Sequence, residues 1–225
     1  MEAIGSILAK IFKNKIEHTM PKSTCYTREQ IQDAVERLGY KWFTADGYDV
    51  NVVGIRNLKT DNKVTNKFDD CITVSYKDIL GEWHFHCFEC TTDPGKYWVE
   101  NIMKESGVAI LKEGQYRSAY KIRKHRGQYD ALCQKGPVKV YRDGNKDLEY
   151  DLIEENVEQG IYGINIHRAT KYEGKTSTQI DRWSAGCQVI ASNDDFREFM
   201  EILYKAREIW GNSFTYTLIN SEDIS

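Results

Sequence analysis

Two short segments of this chain carry residue types and a spacing that could do covalent chemistry. Cys187 closes the run Trp183-Ser184-Ala185-Gly186-Cys187, and His167 closes Ile161-Tyr162-Gly163-Ile164-Asn165-Ile166-His167, 20 residues upstream. A glycine before the cysteine lets the backbone turn sharply, so that a substrate carbonyl can approach the sulfur. It also allows the amides of Gly186 and Cys187 to face the oxyanion of a tetrahedral intermediate. Since the thiolate and not the thiol attacks, an imidazole must take the proton or stabilise the anion. Cys187 and His167 therefore read as nucleophile and base for acyl transfer. His125, beside Arg126-Gly127 in an expected hairpin turn, is the runner-up base if it faces the cleft.

These residues need elements that bring them together. Thr27 with Gln30 predicts a capping box, followed by Ile31, Ala34, Val35 and Leu38 on one face and Gly39 as the stop. From there to about residue 191 the pattern changes to strands, expected at 48–56, 71–76, 83–91, 108–111, 116–124, 129–134, 138–141 and 162–167. Turn-forming clusters such as Asp93-Pro94-Gly95 and Arg126-Gly127 separate them. Ser192 is expected to cap a last helix whose buried face is Phe196, Phe199, Met200 and Leu203, and 214–219 reads as a final strand. The fold class expected is α+β and β-rich, a sandwich or partly closed barrel with flanking helices. His167 at a strand end and Cys187 across one loop would then meet on adjacent strands. Residues 1–22 are expected to form an amphipathic helical arm, with Ile4, Ile7, Leu8, Ile11, Phe12 and Ile16 at helical spacing. Residues 23–225 are expected to form a single domain.

The order strand, His, loop, Ser-x-Gly-Cys resembles the catalytic domain of the L,D-transpeptidases, the YkuD-like family, over about residues 105–192. The resemblance implies a β-sandwich acting on peptidoglycan stem peptides through a thioester on Cys187. It implies that His167 is the base, that the backbone carbonyl of Arg168 orients its ring, and that Gly186 and Cys187 supply the oxyanion amides. Glu113-Gly114-Gln115-Tyr116 is similar to the family's Pro-x-Gly-x-aromatic segment beside the cleft, which puts Tyr116 with Ser184, Trp183 and Arg182 among expected substrate contacts. Asp181 is a further candidate near the wall, although a surface loop is the commoner place for such an aspartate and the core for such a tryptophan. The chain departs from the pattern in three places. Ala185 stands where the family has histidine, Arg168 where glycine often follows the catalytic histidine, and Gln188-Val189-Ile190 where an arginine usually follows the cysteine. Arg168, Arg182 or Lys171 could replace that arginine. The acceptor, an amine or water, is therefore open. A phage-type cell-wall lysin using the same pair, and a non-catalytic binding or virion protein with a degenerate site, are the competing readings.

Composition bounds the alternatives. Of the 225 residues, 31 are Lys or Arg and 34 are Asp or Glu, which is not the electrostatic footprint of a nucleic-acid binder. The most basic stretch, 121–126, reads as a solvated strand face with its turn. No run approaches the roughly 20 apolar residues of a membrane span. Lys10 and Lys13 interrupt the apolar N-terminus, so no signal peptide is recognised. Synthesis in the cytoplasm is expected, with the cell wall as the place of action. The six cysteines are then expected as thiols. His84-Phe85-His86-Cys87-Phe88-Glu89-Cys90 invites a metal reading, but alternation predicts a strand that sends Cys87 and Cys90 to opposite faces. Asp143, Asn145, Asp147, Glu149 and Asp151 alternate as in a calcium loop. Leu148 at the sixth position and an expected lack of the terminal glutamate favour a plain acidic hairpin loop instead. Neither metal nor cofactor is expected.

Overall fold

The computed structural model describes residues 26–224, so the expected arm at 1–22 lies outside the described residues. Three α-helices are present among them: α1 (Arg28–Arg37), α2 (Lys96–Glu100) and α3 (Asn193–Trp210). Eleven strands follow in chain order. They are β1 (Asn51–Arg56), β2 (Asp70–Lys77), β3 (Trp83–Thr91), β4 (Val108–Leu111), β5 (Gly114–His125), β6 (Tyr129–Gln134), β7 (Val138–Asp143), β8 (Glu158–Gly160), β9 (Ile166–Arg168), β10 (Gln188–Ile190) and β11 (Phe214–Asn220).

The architecture is α+β and strand-rich. Eight strands close into a mixed barrel in the order β1-β11-β5-β6-β9-β10-β3-β2, and β4-β7-β8 form a small second sheet. Closure removes the open edges that an eight-stranded sheet would otherwise present. Turn chemistry sets the hairpins. Arg126 and Gly127 both have positive φ, and the Gln128 amide donates to the His125 carbonyl at 2.9 Å, a tight reversal that matches the strand twist. The β2–β3 hairpin closes on the Asp78 carboxylate, which accepts from the amides of Leu80 and Glu82 at 2.8 and 3.0 Å. Along β3, Phe88 and Cys90 face the main core while Trp83 and Phe85 pack against the α1 cluster. That places Cys87 and Cys90 on opposite faces, as alternation predicts.

Both long helices form where capping predicts. Thr27 and Gln30 satisfy one another's backbone amides, and Ser192 accepts from the Asp195 amide at 3.3 Å. Phe196, Phe199, Met200 and Leu203 of α3 are buried in the main core, with Phe199 edge-on to Phe88 at 6.0 Å. Each such side chain contributes about 1.5–3 kcal/mol on leaving water.

The expected strand 162–167 begins only at Ile166. Gly163 takes φ +76°, and the amides of Tyr162, Gly163 and Ile164 all donate to Gln134 Oε1 at 3.1, 2.9 and 3.0 Å. One buried side-chain carbonyl thus replaces a strand ladder. The strand expected at 48–56 likewise starts at Asn51, because Gly47 and Tyr48 lie in the left-handed region. Among the described residues no helix is long and apolar enough to cross a membrane.

Candidate active site

β9 and β10 run parallel, with Gln188 opposite Ile166 and Val189 opposite His167. Partners in such a ladder point the same way, and side chains two residues apart share a face. Cys187, one residue ahead of β10, therefore shares the face of His167 and Val189. It packs at the margin of a satellite cluster of Phe68, Ala169, Ile180, Val189 and Ala191, and is half-buried. The two residues sit diagonally, roughly 8 Å apart at the backbone from one strand spacing and two residues of rise. Their side chains meet only if rotamers turn toward each other.

The His167 ring is fixed. Its Nδ1 donates to the Arg168 carbonyl at 2.9 Å, which leaves Nε2 as the free, lone-pair nitrogen. Its other neighbour is His125, stacked at 4.4 Å between ring centroids. Asn165 holds that second ring, Nδ2 donating to His125 Nδ1 at 3.2 Å, while Asn165 Oδ1 accepts from the Gln134 amide at 2.9 Å. His125 thus ends β5 against the proposed base itself. Burial, then the adjacent His125, holds the His167 pKa down at about 3, and burial lowers that of His125 as well. The His167 ring is therefore neutral at pH 7.

The sulfur is held on the other side of Asn165. Cys187 Sγ donates to the Gly163 carbonyl at 3.5 Å and accepts from the Asn165 amide at the same distance. Burial raises its pKa, and the Asn165 amide opposes that only in part. The resting pair is a neutral thiol and a neutral imidazole, not an ion pair. Among the described residues no hydrogen bond joins them. The arrangement suits general-base attack, in which the thiol turns from Gly163 O to His167 Nε2 as it loses its proton.

The turn before Cys187 differs from expectation at two residues. Ser184 is fully buried, its Oγ accepting from the Gly186 amide at 3.1 Å and donating to the Cys187 carbonyl at 2.7 Å. Ser184 therefore shapes the turn and presents nothing to a substrate, and the Gly186 amide is spent internally instead of facing an oxyanion. Among the described residues the Cys187 amide has no acceptor, which leaves it as the donor for that role. Gly186 itself is required: at φ +121° its missing Cβ would lie 2.1 Å from the Ala109 carbonyl oxygen.

Tyr116 is also withdrawn from the substrate-contact role. It is 9% exposed, and its hydroxyl donates to the Lys112 and Lys139 carbonyls at 2.5 and 3.2 Å. Trp183, whose commoner place is the core, is instead 47% exposed. Arg182 is exposed and stacks over Tyr97 at 4.0 Å. Arg168 lies over Tyr129 at 4.1 Å and donates to Asn193 Oδ1 at 3.2 Å. Lys171 lies over Tyr172. Asp181 sits in the surface loop, accepting from Asn66 Nδ2 at 2.7 Å.

Two supporting residues escaped the sequence reading. Asn165 touches both sides of the candidate pair, and its one signal is a polar residue between the buried Ile164 and Ile166. Gln188, fully buried, opens the run in which the resemblance expects an arginine. It reaches the Thr92 carbonyl at 3.2 Å and accepts the Tyr216 hydroxyl at 2.9 Å. The adjoining Arg56 is buried too, paired with Asp93 at 2.9 Å. Histidines 84 and 86 bond to Asp78 and Glu198 at 3.0 and 2.8 Å, so the metal-like segment is knitted into the hairpin and α3. Comparison with family models, with curated proteins and with solved structures returns no match.

Proposed function

We propose that this protein is a cysteine-nucleophile acyl-transfer enzyme of the L,D-transpeptidase type, acting on peptidoglycan stem peptides. One observation carries the reading: His167 Nδ1 is tied to the Arg168 carbonyl, which leaves Nε2 free on the face it shares with Cys187. That bond sets the tautomer in which Nε2 keeps the lone pair a general base needs.

In the reaction so read, Cys187 Sγ adds to a stem-peptide amide carbonyl while His167 Nε2 takes the thiol proton. The Cys187 amide donates to the oxyanion. Collapse breaks the C–N bond, the same imidazole returns the proton to the leaving amine, and a thioester remains. An amine or a water then attacks, its proton passing to His167, and the free thiol is restored. The solvent exposure of Trp183 and Arg182 supports the reading that they meet the peptide. Arg182, Arg168 and Lys171 all carry cations outside the core that could meet a carboxylate.

The competing reading, a binding protein that keeps the pair without turnover, draws on the thiol's bond to Gly163 in place of His167. Digestion of purified sacculi separates the two. Wild-type protein is expected to change the muropeptide profile and Cys187→Ala is not. Shortened stems identify water as acceptor, and new cross-links identify an amine. An unchanged profile with wild-type protein overturns the enzymatic reading.

A further inference from the structure

The acidic segment after β7 is not absorbed by the acyl-transfer reading. Counted from Asp143, oxygen-bearing side chains fall at positions one, three, five, nine and twelve: Asp143, Asn145, Asp147, Asp151 and Glu154. The twelfth residue corrects the expectation that the terminal glutamate is missing. This is the ligand spacing of a calcium loop of about 12 residues. Leu148 holds the sixth position with φ +65°. That is the left-handed turn for which such loops ordinarily use glycine, so the chain reverses there despite the side chain. The next residues are clamped by a second segment: Leu148 O accepts from the Val64 amide at 2.9 Å, and the Tyr150 amide donates to Asn62 O at 2.7 Å.

An independent observation points to a cation. Asp143 is 1% exposed, and neither of its carboxylate oxygens has a hydrogen-bond partner. Asp151 and Asp147 lie close enough to act on it electrostatically, and the amides of Asn145 and Asp151 lie near it without closing a hydrogen bond. A buried, unpartnered carboxyl group beside two more acids is costly without a compensating positive charge. Asn145 now supplies the nearest substitute. Its Nδ2 donates to Asp147 Oδ2 at 2.8 Å and to Asp151 Oδ2 at 3.0 Å, a polarised amino group gathering two carboxylates. Among the described residues no three Asp, Glu, His or Cys side chains converge on one point. Turning the Asn145 carboxamide over exchanges its donor for an acceptor and opens that point. Glu154 is exposed and bonded to Lys112, which has Glu113 and the Tyr141 hydroxyl as further partners. Glu154 is the exposed member of that pair and Lys112 keeps its two other partners, so release of Glu154 costs little.

We propose that residues 143–154 bind one calcium ion. Its oxygens come from Asp143, Asn145, Asp147 and Glu154, from the Glu149 carbonyl, and from Asp151 directly or through water. The loop is tied to the candidate active site. The Tyr150 hydroxyl donates to the Pro94 carbonyl at 2.7 Å, and the Gly95 amide to the Ser184 carbonyl at 2.9 Å. Calcium would thus brace the turn that carries Cys187, although the binding claim does not depend on catalysis.

The test uses the full chain stripped with EDTA and desalted. Terbium luminescence, sensitised through Tyr150, and calorimetry with calcium chloride are expected to report one saturable site. A single loop that must rearrange to close belongs at the weak end, with Kd about 10⁻⁴–10⁻³ M for calcium. Calcium displaces terbium; magnesium, which demands a tighter octahedron, does not at equal concentration. Asp147→Asn and Glu154→Gln, both at exposed positions, each lower the affinity about tenfold or more with unchanged circular dichroism. No saturable binding up to about 10 mM calcium, well above that range, overturns the proposal. So does equal affinity in both variants.

Discussion

Replacing Gly186 by alanine probes the turn before Cys187 most sharply. The new methyl would stand 2.1 Å from the Ala109 carbonyl oxygen, with the residue at φ +121°. Carbon and oxygen in close contact keep about 3.3 Å, so roughly 1 Å has to be absorbed. Both obstacles are backbone, one on β4 and one in the 184–187 turn, and neither can rotate away. Overpacking of that kind costs about 1–3 kcal/mol, and the left-handed backbone adds about 1–2 kcal/mol for a side chain. The sum, about 2–5 kcal/mol, corresponds to a fall in Tm of about 4–20 °C for a chain of this length. Gly127→Ala is the control. It shares the positive φ, at +73°, but has nothing within 4 Å of the added carbon, so it should lose only the strain part, about 1–2 kcal/mol. Paired calorimetric scans read both. A Gly186→Ala protein that melts with Gly127→Ala, or within about 1 °C of wild type, would refute the packing argument.

Two further predictions concern pH. Because the folded pKa of His167 is depressed from 6.5 to about 3, the unfolded chain takes up a proton that the folded chain refuses. Stability therefore falls as pH drops from 6.5 towards 3, by on the order of 5 kcal/mol at about 1.4 kcal/mol per pH unit. His167→Gln removes this loss, and urea titrations at several pH values should show a flatter profile; equal slopes would contradict the buried neutral ring. Asp143 has the opposite sign. Its folded pKa is raised from 3.8 to about 6, so its contribution is present below 3.8 and lost as pH rises through 6. Without calcium, Asp143→Asn should gain on the order of 3 kcal/mol relative to wild type between pH 4 and pH 7. A gap that does not change with pH would count against the unpartnered carboxylate.

Much of the fold is legible in local sequence. Thr27 with Gln30 and Ser192 announce helix starts because capping is a matter of neighbouring residues. The alternation of Trp83 to Cys90 announces a strand because each face meets a different cluster. What stays hidden depends on residues far apart in sequence. Nothing near Tyr162 indicates that Gln134 will capture three amides and keep 162–165 out of the sheet. Nothing near β1 indicates that β11 will lie parallel to it and close the barrel. The candidate site divides the same way. His167 and the glycine turn at Cys187 lie within short segments and can be read directly, whereas the anchor on the Arg168 carbonyl is expected only from the family resemblance. The stacking of His125 on His167 joins residues 42 positions apart, and the burial of Ser184 and Tyr116 is set by the sheets around them. Small polar residues beside a nucleophile look the same in sequence whether they serve the turn or the substrate.

The most direct test of the account is the intact mass of the protein after brief exposure to a purified stem tetrapeptide, with acid quench. Acylation of Cys187 predicts one adduct, equal to the peptide less the departing amine, labile to hydroxylamine as a thioester is. It should be absent in Cys187→Ala and strongly reduced in His167→Gln. An unmodified wild-type mass, or an adduct that persists in Cys187→Ala, would contradict the assignment of Cys187 as the nucleophile.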